Sequence, residues 1–150
     1  MRTDRRQQTT DNWQPDFDYH VHTVYSGHSG PDMFIPAVMA RLAERGVRRA
    51  VLLEHVPPMM EETFRSFGDW LEGRGERTAI DAIASEVGPR RAQYPAVEFL
   101  IGAEVDADPE LMDGSLLLED LSGIDVVLAS THVLPGGIGF WFNPPEIPVE

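Results

Sequence analysis

The residues of this sequence best suited to chemistry begin at Asp18-Tyr19-His20-Val21-His22. Of the five histidines in 150 residues, His20, His22 and His28 fall within one short stretch. Side chains alternate along an extended strand, so His20 and His22 share a face at a separation of roughly 7 Å. At that spacing two imidazoles converge on one metal ion or on two adjacent ones. Ser26 and Gly27 favour a turn that folds His28 back towards the pair. The other candidates stand where apolar runs end: Glu54-His55 after 47–53, Glu104 after 96–101, and His132 after 124–129. Imidazole and carboxylate together suit zinc, manganese and iron alike. The sequence holds no cysteine, which excludes a thiolate site and a disulfide framework.

The elements that position these groups follow from periodicity. Residues 17–22 read as a strand. Asp32 is a candidate helix cap, and Ile35, Val38, Met39, Leu42 and Ala43 recur at helical spacing, with Pro36 in the first turn and Gly46 closing the helix. The run 47–53 reads as a buried parallel strand. Residues 59–70 form a short helix or lid, and 77–87 a helix with Ile80, Ile83, Ala84 and Val87 on one face, broken by Gly88-Pro89. Strands are expected at 96–101 and 124–129, and between them a short helix at 111–121 ended by Gly123. Alternation of strands and helices implies an α/β fold with a parallel sheet, open or curled into a barrel. In such folds the site lies at the carboxyl ends of the strands, where His20, His22, His55, Glu104 and His132 would meet. Asp18 and Glu54 adjoin the histidines as outer carboxylates; Asp18 either orients His20 or His22 or merely starts the strand. Asp106 reads as a loop carboxylate, and Ser26, Ser130 and Thr131 as turn and strand-end residues.

Composition narrows the function. Hydrophobic content of 42% and charged content of 25% are those of a soluble domain with its own core. The net charge is −13, and all twelve basic residues are arginine, which argues against a nucleic-acid backbone as partner. No apolar run is long enough to span a membrane. Residues 1–16 lack the apolar segment of a signal peptide, so the expected location is cytoplasmic. The expected organisation is a disordered arm at 1–15, a βα domain at 16–137 and a Pro/Gly-rich tail at 138–150.

Four motifs in order, Asp-Tyr-His-Val-His-Thr-x-x-Ser at 18–26, Glu54-His55, Gly-Ala-Glu-Val-Asp at 102–106 and Ser-Thr-His at 130–132, resemble those of the PHP (polymerase and histidinol phosphatase) superfamily. The resemblance implies the N-terminal portion, about four βα units, of a distorted (βα)7 TIM-like barrel. It implies two or three divalent metal ions (Zn, Mn or Fe), with His20, His22, His28, His55, Glu104 and His132 as ligands. Glu104 would be the carboxylate bridging two metals, and Glu104 and His132 would also take part in catalysis. The implied activity is metal-dependent hydrolysis of a small phosphorylated substrate by a metal-activated water, as in a histidinol phosphatase. The sequence departs from the family in having Leu53-Glu54 where Thr-Asp usually precedes the second-motif histidine. The family barrel also runs roughly a hundred residues further. The chain is therefore expected to be a fragment lacking a C-terminal half, in preference to a short protein that closes its sheet edge by self-association. Two alternatives stand beside the phosphatase: a catalytically incomplete metal-binding or interaction module, and an amidohydrolase-type enzyme. The common binuclear form of the latter needs a carbamylated lysine, and the chain has no lysine.

Overall fold

A computed structural model of the chain describes residues 16–26, 29–56, 77–107, 120–131, 133–134 and 138–139. The expected arm at 1–15, the helix or lid at 59–70, His28 and His132 lie outside the described residues. So does the helix expected at 111–121, apart from residues 120 and 121, which are not helical.

Four strands, β1 (Phe17–Val21), β2 (Arg49–Val56), β3 (Glu98–Asp106) and β4 (Val126–Ser130), form one parallel sheet in the order β1-β2-β3-β4. A doubly wound sheet reverses its strand order and covers both faces with helices. Here the order is sequential, and helices α1 (Ile35–Glu44) and α2 (Thr78–Arg90) join one core on one face. The α/β unit is a parallel sheet curled into half of a barrel, with its helices outside. The outer core unites Ala50, Leu52 and Val56 of β2 and Phe99, Ile101, Ala103 and Val105 of β3 with the helices. Val51, Leu53 and His55 alternate onto the inner face of β2, as Gly102, Glu104 and Asp106 do on β3.

Helix α1 buries Ile35, Val38, Met39 and Leu42, the 3.6-residue stripe read from the sequence. Its N-cap is Phe34 rather than Asp32, with no side-chain capping bond, and Pro36 occupies the first turn, where its missing N–H costs no helical bond. At the other end Gly46 takes φ 71°, while Gly46 N–H bonds the Ala43 carbonyl and Val47 N–H that of Leu42. This left-handed stop turns the chain directly into β2 and sends Val47 into the core. Helix α2 buries Ala79, Ile80, Ile83 and Val87, but it continues past Gly88-Pro89 to Arg90. Proline in the last turn forfeits one backbone bond and keeps a helical φ, and the Arg90 guanidinium supports the Glu86 carbonyl at 2.7 Å.

Two strands reach further than their apolar runs. β2 extends through Glu54 and His55 to Val56, and β3 through Glu104 to Asp106. Asp106, read as a loop carboxylate, is a strand residue only 1% exposed. The polar residues stay within the ladder because His55 pairs with Glu104 and Glu54 with Ala103 in unbroken register. After β4, the strands β5 (Val133–Leu134) and β6 (Ile138–Gly139) form an antiparallel pair, so the tail expected from 138 opens on a strand.

Candidate metal centre

The site is built at the carboxyl ends of β1, β2 and β3. In β1 the register shifts between Asp18, which pairs with Ala50, and Val21, which pairs with Leu52. Tyr19 and His20 thus stand together opposite the single residue Val51, as at a β-bulge. In an unbroken strand Asp18 and Val21, three residues apart, would face opposite ways. Both instead line the groove beside α1, and Val21 belongs to the outer core. The shift turns His20 inward, and His22, one residue beyond β1, follows it to the inner face.

His20 Nε2 and His22 Nε2 approach to 3.0 Å. Oε2 of Glu104 lies 3.1 Å from the first nitrogen and 3.2 Å from the second. These three atoms form a nearly equilateral triangle, a group able to hold a metal ion. Bonds of about 2.0–2.1 Å to a tetrahedral divalent ion place neighbouring ligand atoms about 3.3 Å apart. The triangle fits that spacing. His55 Nδ1 stands 3.3 Å from the same Glu104 oxygen, and its ring stacks on that of His22 with centroids 4.8 Å apart. The His20 and His22 rings are 4.9 Å apart, closer than the strand repeat alone gives, because both turn towards Glu104.

Burial sharpens the electrostatics. The Glu104 carboxylate is 5% exposed, and that of Glu54 is 1% exposed. A buried carboxylate costs several kcal/mol unless positive charge or hydrogen bonds compensate it. Burial by itself disfavours a charged His22, yet its hydrogen bonds to Glu104 and Glu54 and their negative charge lift its pKa to about 9. The cluster thus attracts positive charge, as protons or as a cation. Among the described residues, Arg45, Arg48, Arg49, Arg90 and Arg91 gather at the amino ends of the strands. Arg77 is tied to Asp81, Asp120 and the Ser122 carbonyl.

No protein-family model, curated protein or solved structure matches this chain.

Of the residues expected in the site, His20, His22, His55 and Glu104 come together. Glu54 faces His22 Nδ1 at 3.2 Å. Asp18 accepts from the backbone N–H of His20 at 3.3 Å, so its tie to the cluster runs through the main chain and not through an imidazole. His28 and His132 lie outside the described residues.

Two residues joined to the site carried little signal in sequence. Thr23 is fully buried and gives Glu54 both its backbone N–H and its hydroxyl, at 2.7 and 2.6 Å. Its sequence cue was its place in the motif at 18–26, directly after His-x-His, which assigned it no role. Tyr25, in the 3-10 turn Val24–Ser26 that follows, donates to Glu86 of α2 at 2.5 Å. Ser29 closes the same loop, with its hydroxyl on the Thr23 carbonyl and its N–H on Ser26 Oγ at 2.9 Å. The loop after β1 is therefore pinned to both β2 and α2.

Proposed function

We propose that the chain carries the metal-binding half of a PHP-type phosphoesterase, which hydrolyses the phosphate ester of a small molecule. Its four parallel strands would be the first units of a distorted (βα)7 barrel. The observation that carries this reading is the triangle of His20 Nε2, His22 Nε2 and Glu104 Oε2, with edges of 3.0–3.2 Å at the carboxyl ends of parallel strands. In that reading His20, His22, His55 and Glu104 hold a divalent ion, and His28 and His132 are further ligands of a centre of two or three ions.

A divalent ion in such a site lowers the pKa of a bound water towards neutrality and offsets phosphate charge. The protein's own part is placement. β2 and β3 bury the Glu104 carboxylate, which strengthens its pull on positive charge. His20, with half of its side chain exposed, marks the side from which substrate arrives. Among the described residues the arginines stand at the other end of the sheet or are engaged, so within that part of the chain the ligand cluster is what meets a phosphate. Hydrolysis adds the water oxygen to phosphorus, releases the ester oxygen as an alcohol and passes the water's proton to it.

The test is metal content of the purified protein together with hydrolysis of p-nitrophenyl phosphate, in the wild type and in His20→Ala/His22→Ala. Bound metal and hydrolysis, both lost in the double variant, support the proposal. Metal without hydrolysis supports the module reading, and a wild type free of metal after incubation with zinc, manganese or iron refutes the centre.

A further inference from the structure

Glu54 is a carboxylate inside an apolar strand, with His55 beside it already facing the cluster. Alternation puts Glu54 on the outer, helix-facing side of β2, where its neighbours Leu52 and Val56 are core residues. A buried charge there requires a reason, and its two oxygens supply one by dividing their partners. Oε1 accepts two bonds from Thr23, one from the backbone N–H and one from the hydroxyl. Oε2 is left to His22 Nδ1. Thr23 thereby fixes the carboxylate plane, and the carboxylate in turn addresses one nitrogen of one ligand.

We propose that Glu54 is a positioning residue that sets the tautomer and ring plane of His22, holding the proton at Nδ1 and turning the Nε2 lone pair towards His20 and Glu104. This rests on the reading of the cluster as a metal centre. Both nitrogens of His22 face an acceptor-only carboxylate at 3.2 Å, but Glu104 Oε2 is shared with His20 and His55 whereas, among the described residues, Glu54 Oε2 serves His22 alone, so the neutral imidazole places its single N–H at Nδ1. The nitrogen left with a lone pair is Nε2, the atom that forms the triangle with His20 and Glu104. The length of the side chain matters. Glu54 reaches both Thr23 and His22 beyond the end of β1, and aspartate would withdraw the carboxylate by one methylene from one of them.

Glu54→Gln separates charge and polarity from shape. Its amide oxygen can still accept from Thr23, and its NH2 then donates towards His22 Nδ1, which imposes the opposite tautomer. The experiment reads zinc affinity by competition with a chromophoric chelator, and the His22 tautomer by 15N NMR of metal-free protein at pH 10. The expected result is a 10–100-fold loss of zinc affinity in Glu54→Gln. The expected tautomer is Nδ1–H in the wild type and Nε2–H in the variant. Glu54→Asp should also weaken zinc binding, and restoring Glu should recover it. An Nε2–H tautomer in the wild type overturns the proposal even if the variants do not fold, as does a folded Glu54→Gln with wild-type affinity and tautomer. A wild type that binds no zinc but shows the tautomer switch would sink the metal reading while leaving the positioning role of Glu54 standing.

Discussion

Raising the pH should weaken the metal-free fold through His22, and the size of the effect follows from the structure. Burial of the ring opposes its charge, but the Glu104 and Glu54 carboxylates on either side outweigh this and raise its pKa from 6.5 to about 9. The folded state therefore holds this proton more tightly than the unfolded chain does. The stabilisation is fully present below pH 6.5 and is lost as the pH rises through about 9. A shift of that size corresponds to roughly 3 kcal/mol. The assay is urea unfolding in EDTA at pH 6, 7.5, 9 and 10, for wild type and His22→Gln. Their difference in unfolding free energy should shrink across that range by up to roughly 3 kcal/mol. Subtraction removes groups common to both proteins, such as Tyr25, whose pKa is raised by its bond to Glu86. With zinc the trend inverts, because binding displaces the His22 proton, and apparent affinity should climb about tenfold per pH unit until about pH 9. A wild-type-minus-variant difference that stays constant or grows with pH would refute the reasoning.

Two further perturbations probe the frame. At Gly102 an added Cβ would overlap Val51 Cγ1 and lie 2.9 Å from Leu53 Cβ, so Gly102→Ala should cost about 1–3 kcal/mol in urea unfolding, and unchanged stability would mean β2 and β3 can part. Tyr25→Phe removes the bond from the loop after β1 to Glu86, which is partly open to water, and should cost about 0.5–1 kcal/mol. Amide exchange at Val24–Ser26 should accelerate in that variant while β2 stays protected, and uniform exchange would mean the bond does not anchor the loop.

The sequence by itself determined the α/β alternation and the apolar stripes of both helices. Those signals are local: Ile35, Val38, Met39 and Leu42 repeat every 3.6 residues, and the run 47–53 suits a strand buried on both faces. The inward-facing chemistry was legible as types, since histidines and a glutamate stood where those runs ended. Strand ends were less legible. Glu54, His55, Glu104 and Asp106 look like residues beyond a strand, yet pairing between β2 and β3 carries the ladder through the first three, and pairing of β3 with β4 carries it through Asp106. Helix α2 likewise passes a Gly-Pro pair that local propensity reads as a stop. Tertiary structure alone decided which face His20 takes, because the register shift opposite Val51 exists only when β1 meets β2. It also decided that Thr23, a residue with no chemistry of its own, locks the carboxylate that addresses His22. The physical reason is one of range: propensity and periodicity act over a few neighbours, whereas a ligand's orientation depends on atoms 31 to 84 positions away in the chain.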